Sequence, residues 1–107
     1  MRHPPEAYRI FFGTLANPRR LAIITALRRK AMNVTEICGA TGLEQTLVSH
    51  NLRRLERCGM VFAEQSGRHR YYTLNQETIR PLMALIDTHV KCHCSKLLEA
   101  LPHAHRA

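Results

Sequence analysis

Residues 34–61, VTEICGATGLEQTLVSHNLRRLERCGMV, read as two short helices joined by a tight turn, and the second helix decides the fold. Over residues 45–58, Val48, Leu52 and Leu55 recur at helical spacing, while Thr46, Ser49, His50, Arg53 and Arg57 fall on the opposite side, with Gln45 at their head. At roughly 100° per residue the polar set spans about a third of the circumference. It forms one row of hydrogen-bonding and cationic side chains, which suits a DNA groove. Thr35 with Glu36 starts the first helix, and Gly42 supplies a residue able to take a positive φ at the turn. This is helix-turn-helix spacing, although the period alone also permits a plain helical hairpin. The residues after Gly59 favour DNA. A strand over 60–65, a turn at Ser66-Gly67-Arg68 and a second strand over 69–74, with the β-formers Tyr71 and Tyr72, make a basic hairpin. Placed straight after a recognition-type helix, such a hairpin is a wing.

With these motifs in view, the chain resembles the ArsR/SmtB family of winged-helix repressors along nearly its whole length. LANPRRLAIITAL (15–27) looks like the opening of the family's second helix, LEQTLVSHNLRRLERCGMV (43–61) like its recognition helix, and SGRHRYYTL (66–74) like its wing. The family usually has His shortly before the recognition-helix Leu, whereas this chain has Asn51, with His50 one position earlier. Asn can donate to and accept from a base edge, so the departure bears on operator sequence rather than on DNA binding.

The chain has 107 residues, a length that fits one domain spanning 1–107, with a modest core that dimerisation would extend. Sixteen Lys and Arg against eight Asp and Glu leave a formal charge of +8, as expected of a protein that binds a polyanion. Ribosomal and membrane-surface proteins are also basic. Only the position of the charge on helix and wing selects nucleic acid. No apolar run approaches a membrane span, and MRHPPEAYRIFF lacks a signal-peptide core with a cleavage site, so the expected location is cytoplasmic. No phosphate loop, HExxH, GxSxG or paired-carboxylate arrangement appears, and nothing argues for an enzyme.

Pro4 and Pro5 open a first helix to about residue 16, with an apolar stripe of Tyr8, Phe11, Phe12 and Leu15. Asn17 caps a second helix with Pro18 at its first position, running to about residue 29 with Leu21, Ile24 and Leu27 inward. Arg19, Arg20, Arg28, Arg29 and Lys30 read as a solvated surface, and Met32 with Val34 as a short strand beside the wing. Asn75 caps a last helix, ETIRPLMALIDTHVKCHCSKLLEAL, in which Pro81 must kink the helix or delay its start. Ile79, Leu82, Met83, Ile86, Val90, Leu97 and Leu101 line one stripe. A terminal helix this apolar needs a partner, and the first helix with a two-fold copy is the economical one. The expected fold is therefore mainly α with a small β-hairpin wing, a winged helix-turn-helix dimerising through its terminal helices. Two recognition helices about one turn of DNA apart would meet an inverted repeat. The tail PHAHRA reads as frayed.

Four cysteines in an intracellular setting argue against a disulfide framework and leave packing, metal binding or redox sensing. His89, Cys92, His93 and Cys94 place four soft-metal donors within six residues, a set favouring Zn(II), Cd(II), Pb(II), Cu(I) or As(III). On a regular helix Cys92 and Cys94 project about 200° apart. They can share an ion only if the helix ends or unwinds, or if each finds ligands elsewhere. The resemblance implies effector sites at several places, including this last helix near the dimer interface. Some arsenic-responsive members carry a cysteine pair after a stretch resembling RPLMALIDTH (80–89), while the family's CxC around Val34 and Thr35 is missing. Some cadmium- and lead-sensing members also have a cysteine at the position of Cys58, which can equally be a packing thiol. Cys38 reads as a small core residue. The expectation is a repressor released by arsenite, cadmium, lead or zinc bound at Cys92 and Cys94, with Cys58, His89 and His93 as further candidate ligands and no organic cofactor. The rivals are a thiol redox or sulfide-responsive repressor of the same fold and a basic protein-interaction domain without an operator.

Overall fold

The computed structural model describes residues 5–101. The elements run α1 (Pro5–Leu15), α2 (Pro18–Leu27), α3 (Val34–Thr41), α4 (Gln45–Arg57), β1 (Val61–Ser66), β2 (His69–Leu74), α5 (Ile79–His93) and α6 (Ser95–Ala100). They fall into two units, one ending at Asn75 and one beginning at Gln76. Pro4 and the tail 102–107 lie outside the described residues.

In the first unit, local chemistry sets the helix boundaries. Asn17 accepts hydrogen bonds from the backbone N–H groups of Arg19 (2.9 Å) and Arg20 (3.1 Å), with Pro18 pre-setting the first turn. The cap of α3 is Asn33 and not Thr35. Its Oδ1 accepts from the Glu36 N–H at 2.8 Å while Glu36 Oε1 accepts from the Asn33 N–H at 3.0 Å, a reciprocal capping box. Val34 is consequently the first residue of α3, and the expected strand beside the wing shrinks to one bridge, Met32 with Tyr72. Gly42 ends α3 at φ 75°, a left-handed turn open to glycine without strain, and the chain enters α4 three residues later.

Helices α2, α3 and α4 pack on one another, with α4 also against β1 and α2 against β2. The shared core is fully buried: Ile23, Ile24 and Leu27 from α2, Ile37 from α3, and Val48, Leu52 and Leu55 from α4. Burying each such side chain is worth about 1.5–3 kcal/mol, so the apolar stripe of α4 can face only inward. The strands pair antiparallel from Val61↔Leu74 to Ser66↔His69. Gly67 (φ 61°) is the first of the two loop residues, and among the described residues no non-glycine has positive φ, the pattern of a type II′ turn.

In the second unit α5 starts at Ile79 with Thr78, and not Asn75, at its cap. Pro81 is thereby the third helical residue, where a missing N–H costs nothing, and the Leu82 N–H to Thr78 carbonyl bond closes the first turn. Asn75 instead ties the end of the hairpin, its Nδ2 donating to the Gly59 carbonyl at 3.0 Å. The last helix is not continuous. Cys94, at φ −107° and ψ 9°, ends α5 and precedes α6. The stripe drawn from Ile79 to Leu101 is broken with it: Ile79 and Met83 are buried, while Leu97 is 65 % exposed.

Candidate nucleic-acid interface

The backbone of α4 presents its row as the sequence spacing requires. Gln45, Thr46, His50, Arg53 and Arg57 are exposed and Ser49 is half-buried, while Val48, Leu52 and Leu55 on the other side are buried. His50, Arg53, Arg54 and Arg57 line one basin together with Arg20 of α2. Five cationic or ionisable side chains around one depression give a positively charged surface complementary to phosphate. Arg68 stands exposed in the hairpin loop, with His69 and Arg70 exposed beside it. Arg70 reaches back to Glu56 of α4 at 3.5 Å, linking wing to recognition helix, and lies 6.0 Å from the centre of the Tyr72 ring. At that distance and exposure the ion pair contributes under about 1 kcal/mol.

Two residues differ from their sequence reading. Asn51 is only 4 % exposed and cannot meet a base edge. Its Nδ2 donates to the Leu47 carbonyl at 2.8 Å and its Oδ1 accepts from Arg20 Nη1 at 3.2 Å. Arg20 is half-buried and not a solvated cation: Nε donates to the Thr14 carbonyl (2.7 Å) and Nη2 to that of Gly13 (3.3 Å). Thr14, fully buried, accepts at Oγ1 from Arg54 Nε (3.1 Å), and the same oxygen lies 3.3 Å from Cys58 Sγ. The Cys58 thiol is thus part of a hydrogen-bonded joint between α1 and α4. Cys38 is half-buried in α3.

The thiols of the second unit are differently placed. Cys92 is exposed, Cys94 is half-buried at the junction of α5 and α6, and the His89 and His93 rings sit with centres 5.1 Å apart, one turn from each other. The donor types suit a soft ion, and α5 ends at His93, between Cys92 and Cys94. Among the described residues, however, no three His, Cys, Asp or Glu side chains converge as a ligand group. Apolar side chains are uncovered on both units: Tyr8 (58 %), Ile10 and Phe12 on α1, and Leu85 (67 %), Leu97 and Leu101 from α5 onward. No described helix is long and apolar enough to cross a membrane.

A helical trihead of α2, α3 and α4 with a hairpin behind the outward-facing third helix is a winged helix-turn-helix. The family model for bacterial regulatory proteins of the arsR family matches residues 17–62, from the cap of α2 to the first strand of the wing. The chain is 41 % identical over 69 residues to the HTH-type transcriptional regulator NmtR of Mycobacterium tuberculosis, covering 64 % of this chain and 58 % of that one. It is 32 % identical over 81 residues to the transcriptional repressor SmtB homolog of Synechocystis, covering 76 % and 61 %. It therefore spans about three fifths of these curated relatives. Among solved structures it resembles the homodimeric winged helix-turn-helix DNA-binding domain of a possible ArsR-family regulator from Mycobacterium bovis, with a TM-score of 0.77, 32 % identity, and coverage of 85 % of this chain and 84 % of that one. The chain belongs to the ArsR family. Its relatives are transcriptional regulators and not enzymes.

Proposed function

We propose that the protein is a homodimeric, cytoplasmic transcriptional repressor, a single winged-helix domain flanked by dimerisation helices. It occupies an inverted-repeat operator through Gln45, Thr46, Ser49, His50, Arg53, Arg57 and Arg68, and leaves it when a soft metal or metalloid of the arsenite, cadmium or lead class binds at Cys92 and Cys94. The observation that carries the DNA half is α4: one face buried in the core, the other an exposed row ending in a cationic basin beside a basic wing. Phosphates position such a surface, and the row of Ser49, His50 and Arg53 reads base edges. The homodimeric relative and the uncovered apolar residues of α1, α5 and α6 support dimerisation.

For release, the bound ion supplies affinity for thiolate. The chain supplies Cys92 and Cys94 on either side of a helix end, with His89 and His93 one turn apart. Because three donors do not converge within the described residues, the site is completed by a ligand from elsewhere, such as a second copy, which ties effector binding to the arrangement of the dimer. Coupling is reciprocal. An effector that weakens DNA binding is itself weakened by DNA to the same degree, about 1–3 kcal/mol in typical systems. The test is to titrate the reduced dimer, bound to a duplex it selected from random sequence, with As(III), Cd(II), Pb(II) and Zn(II). Thiolate-to-metal absorption and DNA release are followed together. Release that tracks absorption and is reversed by chelator supports the reading; release reversed only by dithiothreitol assigns thiol redox control instead. A dimer that selects no duplex leaves a protein-interaction domain.

A further inference from the structure

Helix α1 has no basic residue in its last turn, and its end carries carbonyls that the helix cannot satisfy. The Phe12 carbonyl is taken by the Ala16 N–H. Those of Gly13 and Thr14 are taken by Arg20, which places a cation from α2 against the negative end of α1. The same guanidinium uses its third nitrogen on Asn51, at the middle of α4. Asn51 has its other hydrogen bond with Leu47 in its own helix. One side chain thus holds the end of α1 and the inner face of the recognition helix, in a setting where Thr14 is fully buried and Asn51 nearly so. Charged hydrogen bonds at such a part-buried joint are directional and costly to break.

We propose that Arg20 is a positioning residue for DNA reading. By clasping Asn51 to the end of α1 it sets the angle at which α4 presents Ser49, His50 and Arg53. Hydrogen bonds to base edges require side chains placed to within tenths of an ångström, whereas attraction to phosphate is long-ranged and tolerant. Loosening the clasp therefore costs selectivity before it costs affinity for DNA in general. Arg20 also lines the cationic basin, so a direct phosphate contact is the alternative role, and it carries a different signature.

The inference rests on the DNA-binding reading above. The experiment compares the full chain with Arg20→Gln, Asn51→Leu and the double variant, each measured on a duplex selected by the parent and on an unrelated duplex across a salt series, with thermal melting alongside. Each single change is expected to lower the selected-to-unrelated affinity ratio about tenfold, equivalent to about 1.4 kcal/mol, without altering the salt dependence. The double variant should lose no more than the larger single, because both break one clasp. Equal weakening of both duplexes by Arg20→Gln, with the salt slope reduced by about one, makes Arg20 a phosphate contact and overturns the proposal. An unchanged ratio in Asn51→Leu, or additive losses, also overturns it. Should Arg20→Gln fail to fold, Asn51→Leu decides, since it removes the partner while leaving every cation in place. A parent that selects no duplex defeats the DNA-binding reading; a selective parent with unaffected variants defeats only the clasp.

Discussion

The outer face of α4 and the segment around Cys94 are both dense in polar, cationic or metal-binding residue types, yet they are built differently. On α4 every member of the row is placed by a helix whose opposite side is locked in the core by Val48, Leu52 and Leu55, so one chain holds a finished surface. Around Cys94 the donors lie on exposed turns of α5 and at its end, and they do not converge. The reading face is thus preorganised. The proposed sensing face would need another element to complete it, and a site that needs assembly is one whose assembly can move something.

Breaking this contrast at the sensing end gives the largest expected effect. A Cys92→Ser, Cys94→Ser variant should repress constitutively, with the effector concentration for release raised more than about a hundredfold, because thiolates dominate soft-ion affinity. Its operator affinity should match the parent's. If it releases DNA at the parent's effector concentration, the sensor lies at Cys58 or Cys38. Next comes Arg53→Ala, expected to cost about 1–3 kcal/mol on the operator with melting unchanged, since the side chain lies outside the core. An undiminished affinity would show the wrong face of α4 to be turned to DNA. Arg68→Ala should weaken selected and random duplexes alike, about fivefold at physiological salt, the loss of one phosphate contact. A loss confined to the operator would make the loop a base reader. The smallest change is expected for Glu56→Ala: calorimetry should find under about 1 kcal/mol, given an exposed pair at 3.5 Å, and a larger loss would mean that the wing is held chiefly by Arg70.

What could be read from the sequence were the features that repeat locally. The α4 period, the glycine at the turn and the β2 span of His69–Leu74 carry their own signals, and the structure has them in place. The cap of α3 is also legible: Asn33 stands three residues before Glu36, the capping-box spacing. Asn51 also carried a sign, lying three residues after Val48 and four before Leu55, within the apolar stripe and not on the polar row. The Arg20 clasp had none. It joins residues 31 apart in sequence through two polar side chains, each of a type that stays in water by default. The interruption at Cys94 had none either, for neither Gly nor Pro lies between Thr88 and Leu101.

Whether the α4 row and the wing grip DNA is decided by how binding to a selected duplex depends on salt. The parent dimer should enrich an inverted repeat from random sequence, and log K should fall steeply against log salt, by about 0.9 for each phosphate neutralised, with a shallower line for Arg68→Ala. A flat salt dependence, or no enriched sequence, would contradict it.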